Sequence, residues 1–330
     1  MSNTGHLLER YREHPAVVQL SKAIQQPHAR VHLAGLMGAQ FAFVLAAASG
    51  SAPTGLYIAE SKEEAAYLLN DLQGILPIDT VHFFPDSFKR PAVFDVLNPT
   101  QTLQRSEVVS RLGAASAGGV IITYPEALFE KVVSPEVLAQ SRIEVAREEK
   151  LDVDFVIQVL VEYGFERTDF VYEPGQFSIR GGILDLFSFG NELPYRIELF
   201  DDEAESIRTF DPLTQLSKQS ISRMQIVPNL NTRFRQDQKV SLFRVLPENT
   251  VIWIRDFQFL LDRLQYCFEK AEQYAGKITA LDAAELRELF RDRAFVYPAN
   301  VVDDVREHAL VFLEKPGPAI EALLDVPVAP

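Results

Sequence analysis

Cysteine is almost absent from the 330-residue sequence, which contains Cys267 alone. A single thiol excludes an internal disulfide framework and is typical of a reducing compartment, so we expect a cytoplasmic protein. The sequence also lacks any run of 18 apolar residues, the length that a membrane-spanning helix requires. Its first residues, MSNTGHLLERYREH, are polar, and we therefore expect neither a membrane anchor nor a secretion signal.

Basic residues are also scarce, with 32 lysines and arginines against 46 aspartates and glutamates and a net charge of -14. Non-specific nucleic-acid binding depends on basic side chains that neutralise phosphates. We therefore expect weak DNA binding or none. With 47% hydrophobic and 24% charged residues, the composition is otherwise that of a globular protein, and its length suffices for two or three domains.

Residues that usually hold metals or carry catalysis form no recognisable pattern. None of the histidines stands at a metal-ligand spacing from a cysteine or a carboxylate. The six are His6, His14, His28, His32, His82 and His308. No Gly-x-Ser-x-Gly motif is present, and no charged pair indicates acid–base catalysis. We therefore expect no metal, no cofactor and no catalytic residue.

Short apolar runs alternate with helical segments at both ends of the sequence. The expected strands are 31–35, 55–59, 81–84, 120–124, 251–255 and 310–314. The expected helices are 5–26, 38–49, 62–75, 99–116, 256–275 and the run VSLFRVL at 240–246. Strands that alternate with helices predict a parallel sheet covered by helices.

Between these segments the pattern changes to an amphipathic helix over 151–163 and short β-type runs up to residue 228. The runs are DFVYE, GQFSIR, GILDLF, YRIELF, AESIRTF and RMQIVP. Turn residues such as Pro174-Gly175 separate them, which predicts an antiparallel sheet with a helix on one face. The fold is therefore a discontinuous α/β domain, 1–138 and 229–330, interrupted by an α+β insert at 139–228.

A glycine turn between a strand and a helix, LAGLMGAQFA at 33–42, resembles a phosphate-binding loop. In the pattern G-x-x-x-x-G-K-[ST], the lysine contacts the β- and γ-phosphates and the hydroxyl binds Mg²⁺. Aligned from Gly35, the pattern places Gln40 at the second glycine, Phe41 at the lysine and Ala42 at the hydroxyl. Gly38 falls between Gly35 and Gln40, at a position where the pattern accepts any residue. A helix N-terminus still attracts an anion, but we expect a structural turn and no nucleotide site.

The strand YRIELF at 195–200 has two chemically different faces. Side chains alternate across a sheet, so Tyr195, Ile197 and Leu199 share one face. This apolar face should meet the helix. Arg196, Glu198 and Phe200 should then lie on the open face.

The same alternation applies to QFSIR at 176–180, where Ser178 and Arg180 should point outward. Arg180, Arg196 and Phe200 would then form one exposed patch, and arginine beside an aromatic ring is typical of protein interfaces. In the alternative, Arg196 pairs with Glu198 or Asp185 on a solvated surface and a loop covers Phe200. The insert carries 9 basic and 17 acidic residues over 140–228, which favours a protein partner over nucleic acid.

The segment GQFSIRGGILDLFSFGNELPYRIELFDDEAESIRTFDPLTQ at 175–215 closely resembles the N-terminal region of bacterial transcription-repair coupling factors. That region is itself similar to the damage-recognition protein UvrB. The segments FFPDSFKRP at 83–91 and VIITYPEALFEKV at 120–132 also resemble this family. The resemblance implies a discontinuous RecA-like domain with a degenerate P-loop and an inserted α+β domain of the UvrB type.

The resemblance also bears on activity. UvrB proteins have a working phosphate loop where this sequence has LAGLMGAQFA, whereas coupling factors have a degenerate one. We expect no counterpart of the aromatic, damage-probing hairpin of UvrB between Phe84 and Leu103. The parent protein is expected to be an ATP-dependent DNA translocase whose motor, RNA-polymerase-binding domain and C-terminal domain lie outside this chain.

The partner implied by the resemblance is UvrA, bound in nucleotide excision repair at stalled RNA polymerase. The motifs assign its contacts to Arg180, Arg196 and Phe200, with Asp185 and Glu192 in possible support. In the family this surface is held against the C-terminal domain of the parent chain, which contributes to autoinhibition. The alternative function is a nucleotide- or damaged-DNA-binding UvrB-like domain with residual activity.

Overall fold

The structure, a computed structural model, describes residues 3–50, 54–90, 93–113, 118–140, 143–188, 191, 193–226, 239–277 and 295–324. Two large hydrophobic cores organise them. One core combines residues from Leu8 to Val133 with residues from Leu242 to Leu324. The other lies wholly between Val145 and Ile226. Segments distant in sequence therefore share the first core, while the insert has its own.

The strands are numbered in chain order. They are β1 Arg30–His32, β2 Thr54–Ile58, β3 Val81–Phe83, β4 Phe88–Arg90, β5 Val93–Leu97, β6 Gly119–Thr123, β7 Val132–Val133, β8 Ile143–Ala146, β9 Glu166–Arg167, β10 Gln176–Arg180, β11 Ile183–Leu186, β12 Tyr195–Phe200, β13 Glu203–Phe210, β14 Ser217–Ile221, β15 Arg223–Ile226, β16 Lys239–Val240, β17 Val251–Ile254 and β18 Ala309–Phe312.

The helices are also numbered in chain order. They are α1 Asn3–Glu13, α2 Pro15–Ala23, α3 Gln40–Ser49, α4 Lys62–Gln73, α5 Pro99–Leu112, α6 Pro125–Phe129, α7 Pro135–Gln140, α8 Val153–Glu162, α9 Phe257–Lys277, α10 Pro298–Arg306 and α11 Pro318–Leu323. Within the described ranges, none combines the length and the apolar composition needed to cross a membrane.

A six-stranded parallel sheet forms the centre of the larger body. Its strand order is β1-β18-β17-β2-β6-β3. Strands β17 and β18, which follow the insert in sequence, lie between β1 and β2, so both flanking segments complete one sheet. Their near-continuous apolar sequences are typical of strands covered by helices on both faces. The predicted parallel α/β sheet is confirmed.

Two helix predictions need correction. The single helix predicted over 5–26 is two helices, because Pro15 lacks the N–H group that a continuous helix would need. The imidazole of His14 instead caps α2 by accepting a hydrogen bond from the N–H of Ala16. The run at 240–246 forms no α-helix: β16 leads into a short 3-10 turn over Leu242–Val245.

The insert is a mostly antiparallel sheet in the order β14-β13-β12-β11-β10-β9, in which only the pair β9–β10 is parallel. Helix α8 covers one face of this sheet. Its Val156, Val159 and Leu160 pack with inward-facing Leu184 and Ile197 in the second core. The predicted antiparallel sheet with a helix on one face is confirmed.

Parts of the strand prediction within the insert are wrong. The run DFVYE at 169–173 is not a strand; it belongs to a loop, 168–175, that crosses the other face of the sheet. The run RMQIVP provides β15, but this strand pairs with β8 outside the main sheet. Strand β14, the edge of the main sheet, was not predicted, because its residues are almost all polar and exposed.

A short antiparallel hairpin, β4–β5, lies where no UvrB-like hairpin was expected. Its first residue, Phe88, is buried in the larger core. The hairpin is anchored by a buried network in which Glu130 accepts hydrogen bonds from the N–H and the hydroxyl of Ser87. Arg105 donates to the carbonyl oxygens of Pro85 and Glu130. The expectation that this segment has no counterpart of the aromatic, damage-probing hairpin of UvrB stays a prediction.

Candidate functional site

The glycine loop before α3 has the backbone shape of a phosphate loop but none of its chemistry. Gly35 and Gly38 have φ angles of 77° and 53°, the left-handed region that favours glycine. Gln40 accepts a hydrogen bond from the N–H of Met37 at 2.9 Å, so the side chain occupies a loop N–H that would otherwise face a ligand. The Phe41 ring packs against Tyr57 at 5.0 Å between centroids. Ala42 is buried in the core.

The carboxyl ends of the parallel strands, where open α/β sheets bind their ligands, carry mostly negative charge. Arg255 follows β17 and lies among three carboxylates, 3.4 Å from Glu64, 3.8 Å from Glu60 and 4.0 Å from Glu314. Burial, followed by the nearby charge of Glu64, raises the pKa of Glu60. Three acids around one guanidinium disfavour a bound phosphate.

The outer face of the insert, which is the face of its sheet opposite α8, is organised around a buried carboxylate. Asp185 is 0% exposed and lies directly across from Arg196 in the β11–β12 ladder. Arg196 donates to both carboxylate oxygens, from Nε at 2.7 Å and from Nη2 at 2.8 Å. Arg180 donates from Nη2 at 2.7 Å. We call Arg180, Asp185 and Arg196 the arginine network.

The two arginines of this network differ in accessibility. The Arg196 side chain is 16% exposed, stacks on Phe210 at 4.5 Å and donates from Nη1 to the carbonyl of Gln215. Its hydrogen bond to Asp185 raises its pKa. Arg180 is 38% exposed and stacks on Phe170 at 4.5 Å. Arg196 therefore holds the face together, whereas Arg180 offers N–H donors to a partner.

A second ion pair on the outer face was not predicted. Arg208, which lies opposite Arg196 in the ladder, pairs with Glu198, and Ser206 donates to the same carboxylate at 2.8 Å. Of the two carboxylates that the alternative named, Arg196 therefore pairs with Asp185 and not with Glu198. Alternation along AESIRTF places Arg208 outward, so the signal for this residue was present in the sequence.

Phe200 lies on the outer face but apart from the arginine network. It is 75% exposed at the end of β12, so the alternative in which a loop covers it is wrong. It lies four positions beyond Arg196, which is roughly 13 Å along a strand. The structure thus brings Arg180, Arg196 and Asp185 together and leaves Phe200 at one end of the same face. Glu192 lies outside the described residues.

Two loops cover the other end of the outer face, namely 168–175 and 211–216. Ser178 points outward as predicted but is buried beneath the first loop, where its hydroxyl donates to the carbonyl of Asp169. A small core of Val171, Phe187 and Phe210 holds the loops against the sheet. The loops expose four apolar side chains that we call the apolar rim: Phe170, Tyr172, Leu213 and Leu216.

In the part of the chain that the structure describes, no three His, Cys, Asp or Glu side chains are placed to hold a metal ion. Cys267 is a free thiol buried in the larger core. The groups that stand out chemically are thus the charged and aromatic side chains of the outer face.

Comparison with known proteins bears on this face directly. Residues 143–231 match the family model described as "UvrB interaction domain". The insert is therefore similar in sequence to UvrB interaction domains. This domain comprises the sheet β9–β14, helix α8 and the arginine network, and the UvrB-type insert is thereby confirmed.

Relatives that match more of the chain than the insert extend the same conclusion. The chain is 33% identical over 209 residues to the transcription-repair-coupling factor of Bacillus subtilis, covering 63% of this chain and 18% of that protein. It is 32% identical over 267 residues to that of Staphylococcus aureus, covering 79% and 22%. UvrABC system protein B of Vibrio vulnificus is 26% identical over 292 residues, covering 83% and 42%.

The resemblance to transcription-repair coupling factors is therefore confirmed, and so is the likeness to UvrB. The chain spans less than a quarter of the two coupling factors and less than half of the UvrABC relative. The coupling factors are named for linking transcription to repair.

Proposed function

We propose that this chain is a non-catalytic recruitment module that binds UvrA through the outer face of its UvrB interaction domain. The module would bring UvrA to stalled RNA polymerase for nucleotide excision repair, within a longer cytoplasmic parent protein. Contact with RNA polymerase, and the motor that moves along DNA, belong to other domains of that parent. The outer face would also contact the parent's C-terminal domain and so contribute to autoinhibition.

The observation that carries this proposal is the arginine network, with exposed Phe200 at one end of the same face. Burying a carboxylate that holds two guanidinium groups costs free energy, because the charges lose their hydration. The network also adds no apolar packing to the outer face of the sheet. It does hold Arg180 in one orientation, which lowers the entropy that a partner must remove on binding. Arginine and aromatic side chains are enriched among the residues that dominate protein interfaces.

The absence of catalysis is proposed from the larger domain. Its sheet supports a discontinuous RecA-like arrangement, since β17 and β18, which follow the insert, lie between β1 and β2, which precede it. Phe41 and Ala42 stand where phosphoryl transfer needs a lysine and a hydroxyl, and both pack into the protein. The carboxylates around Arg255 add electrostatic repulsion towards phosphate.

Damaged-DNA binding remains the second candidate because of the β4–β5 hairpin and the likeness to UvrB. Against it stands the net charge of -14, since DNA affinity depends on basic side chains. A gel-shift titration with intact and lesion-bearing duplexes at about 150 mM salt separates the two functions. The recruitment proposal expects no DNA binding at chain concentrations below about one micromolar. A sub-micromolar affinity for DNA would favour the second candidate.

The proposal is tested by titrating purified UvrA with the wild-type chain and with Arg180→Ala. Truncating an interface arginine costs roughly 2 kcal/mol, or about thirtyfold in affinity. Arg180→Ala is chosen over Arg196→Ala because Asp185 then keeps both of its hydrogen bonds from Arg196. Arg223→Ala is the control: Arg223 is another exposed arginine of the insert, it lies on β15 outside the main sheet, and it pairs with Glu144. Equal UvrA affinity of Arg180→Ala and the wild type would contradict the proposal.

A further inference from the structure

The apolar rim exposes more apolar surface than the outer face needs for its own folding. Leu213 is 85% and Leu216 69% exposed, and Phe170 and Tyr172 are about half exposed. Single exposed apolar residues are common on protein surfaces, whereas adjacent ones mark interaction sites. The rings of Phe170 and Tyr172 lie 6.5 Å apart. Gln215, between the two leucines, donates to the carbonyl of Val171, between the two aromatic residues, so the loops are neighbours.

Both loops are fixed by hydrogen bonds. In the 211–216 loop, a carboxylate oxygen of Asp211 accepts from the N–H groups of Leu213 and Thr214, each at 3.0 Å. The hydrogen bond from Thr214, followed by that from the side chain of Lys218, lowers the pKa of Asp211 to about 2. Tyr172 and Glu173 donate from their backbone N–H groups to the side chain of Gln176. A rigid apolar surface loses little entropy when a partner covers it.

The apolar rim is continuous with the arginine network. The guanidinium of Arg180 lies 4.5 Å from the Phe170 ring, and Arg196 donates to the carbonyl of Gln215 within the second loop. Phe200 therefore lies at one end of the outer face and the apolar rim lies at the other end. The arginine network lies between them. An apolar region next to oriented charges is the composition of the best-packed part of an interface.

The charge of the insert decides between possible occupants. Over 140–228 it carries 9 basic and 17 acidic residues, so two copies of this domain repel each other, and a nucleic acid is repelled as well. On the strands of the outer face, three arginines meet two carboxylates: Arg180, Arg196 and Arg208 against Asp185 and Glu198. The fitting partner is a protein surface with apolar side chains and a carboxylate placed to meet Arg180.

We propose that the apolar rim is the second half of the UvrA-docking surface, with Leu213 and Leu216 as its anchors. This inference rests on the proposed function and extends it, because it places binding energy on two loops outside the residues that the family motifs assign. The complementary surface of UvrA would present apolar side chains to the rim and an acidic side chain to Arg180.

The test is calorimetric titration of UvrA with the double variant Leu213→Ser, Leu216→Ser. Removing two apolar anchors should weaken binding by tenfold or more. The control is Phe155→Ser, Val161→Ser, which changes two apolar residues on α8 that are also more than half exposed, at the opposite side of the domain. The control should bind UvrA within about twofold of the wild type, and both double variants should keep the wild-type melting temperature.

Phe200→Ala and Arg180→Ala, measured alongside, separate the two proposals. If these single variants lose affinity and the Leu213, Leu216 variant does not, the rim inference is overturned while the proposed function stands. If only the leucine variant loses affinity, the rim inference stands and the motif-assigned patch is wrong. If none loses affinity, both are overturned. Self-association of the wild type that the leucine variant abolishes would assign the rim to a second copy and overturn the inference.

Discussion

Replacing Asp185 with asparagine removes the one charge that holds the arginine network together. The carboxylate is 0% exposed and accepts three hydrogen bonds from Arg180 and Arg196. Asparagine has nearly the same shape, but its amide nitrogen cannot accept a hydrogen bond. Two guanidinium groups then lie side by side without a counter-charge, and Arg196 is mostly buried.

The magnitude follows from the burial of each partner. Breaking a buried ion pair by removing one member costs roughly 3–5 kcal/mol. Water screens the 38% exposed Arg180, so most of the loss comes from Arg196 and we expect about 3 kcal/mol. A domain of this size shifts its melting temperature by about 4–8 °C per kcal/mol, which gives a decrease of roughly 12–24 °C.

The assay separates the two bodies of the protein. Trp253, the only tryptophan, is buried in the parallel sheet, so its fluorescence reports the larger domain. Far-ultraviolet circular dichroism reports both bodies. For Asp185→Asn we expect an early transition in circular dichroism that tryptophan fluorescence does not follow.

A second substitution provides the control for Asp185→Asn. Asp202→Asn breaks an exposed pair with Lys150 on the same domain and should leave both transitions unchanged. The reasoning is refuted if Asp185→Asn melts within 2 °C of the wild type by both signals and binds UvrA equally well.

Three further predictions concern the cores and the degenerate loop. Ile197→Ala should destabilise the insert by about 2–4 kcal/mol in urea unfolding, because Ile197 is fully buried beneath α8; unchanged stability would contradict the assigned core. Mg-ATP at millimolar concentration should produce no saturable heat in calorimetry, and a Mg-dependent saturable signal would contradict the loss of function at Phe41. Burial raises the pKa of the Cys267 thiol to about 12, so thiol reagents at pH 8 should modify it only after unfolding; rapid labelling of the folded chain would contradict its placement.

Strand alternation predicted the outer-face positions because it depends only on the two-residue period of a strand. Arg180, Arg196 and Phe200 all point away from α8, as that period requires. The insert's sheet also followed from turn residues, since Gly181-Gly182 joins β10 to β11. Gly182, the second of these glycines, has no room for a side chain, because an added Cβ would lie 2.9 Å from the carbonyl oxygen of Leu199.

What the sequence could not supply is the register between strands and the path of the loops. Asp185 meets Arg196 only because β11 and β12 pair as they do, and a shift of one residue would place Asp185 on the α8 face. The run DFVYE has the composition of a strand, yet it packs across the sheet as a loop. The apolar residues of DFVYE indicate contact with a hydrophobic core. They do not indicate which face of the sheet this segment covers.

The central claim, that the outer face binds UvrA, is tested most directly by comparing two equally exposed aromatic residues. Phe200 on the outer face is 75% exposed, and Tyr67 on α4 of the larger domain is 76% exposed. In calorimetric titrations of UvrA, Phe200→Ala should bind about thirtyfold more weakly than the wild type, since a truncated aromatic anchor costs roughly 2 kcal/mol. Tyr67→Ala should bind as the wild type does. Equal affinities for all three chains, or a loss at Tyr67 alone, would contradict the claim.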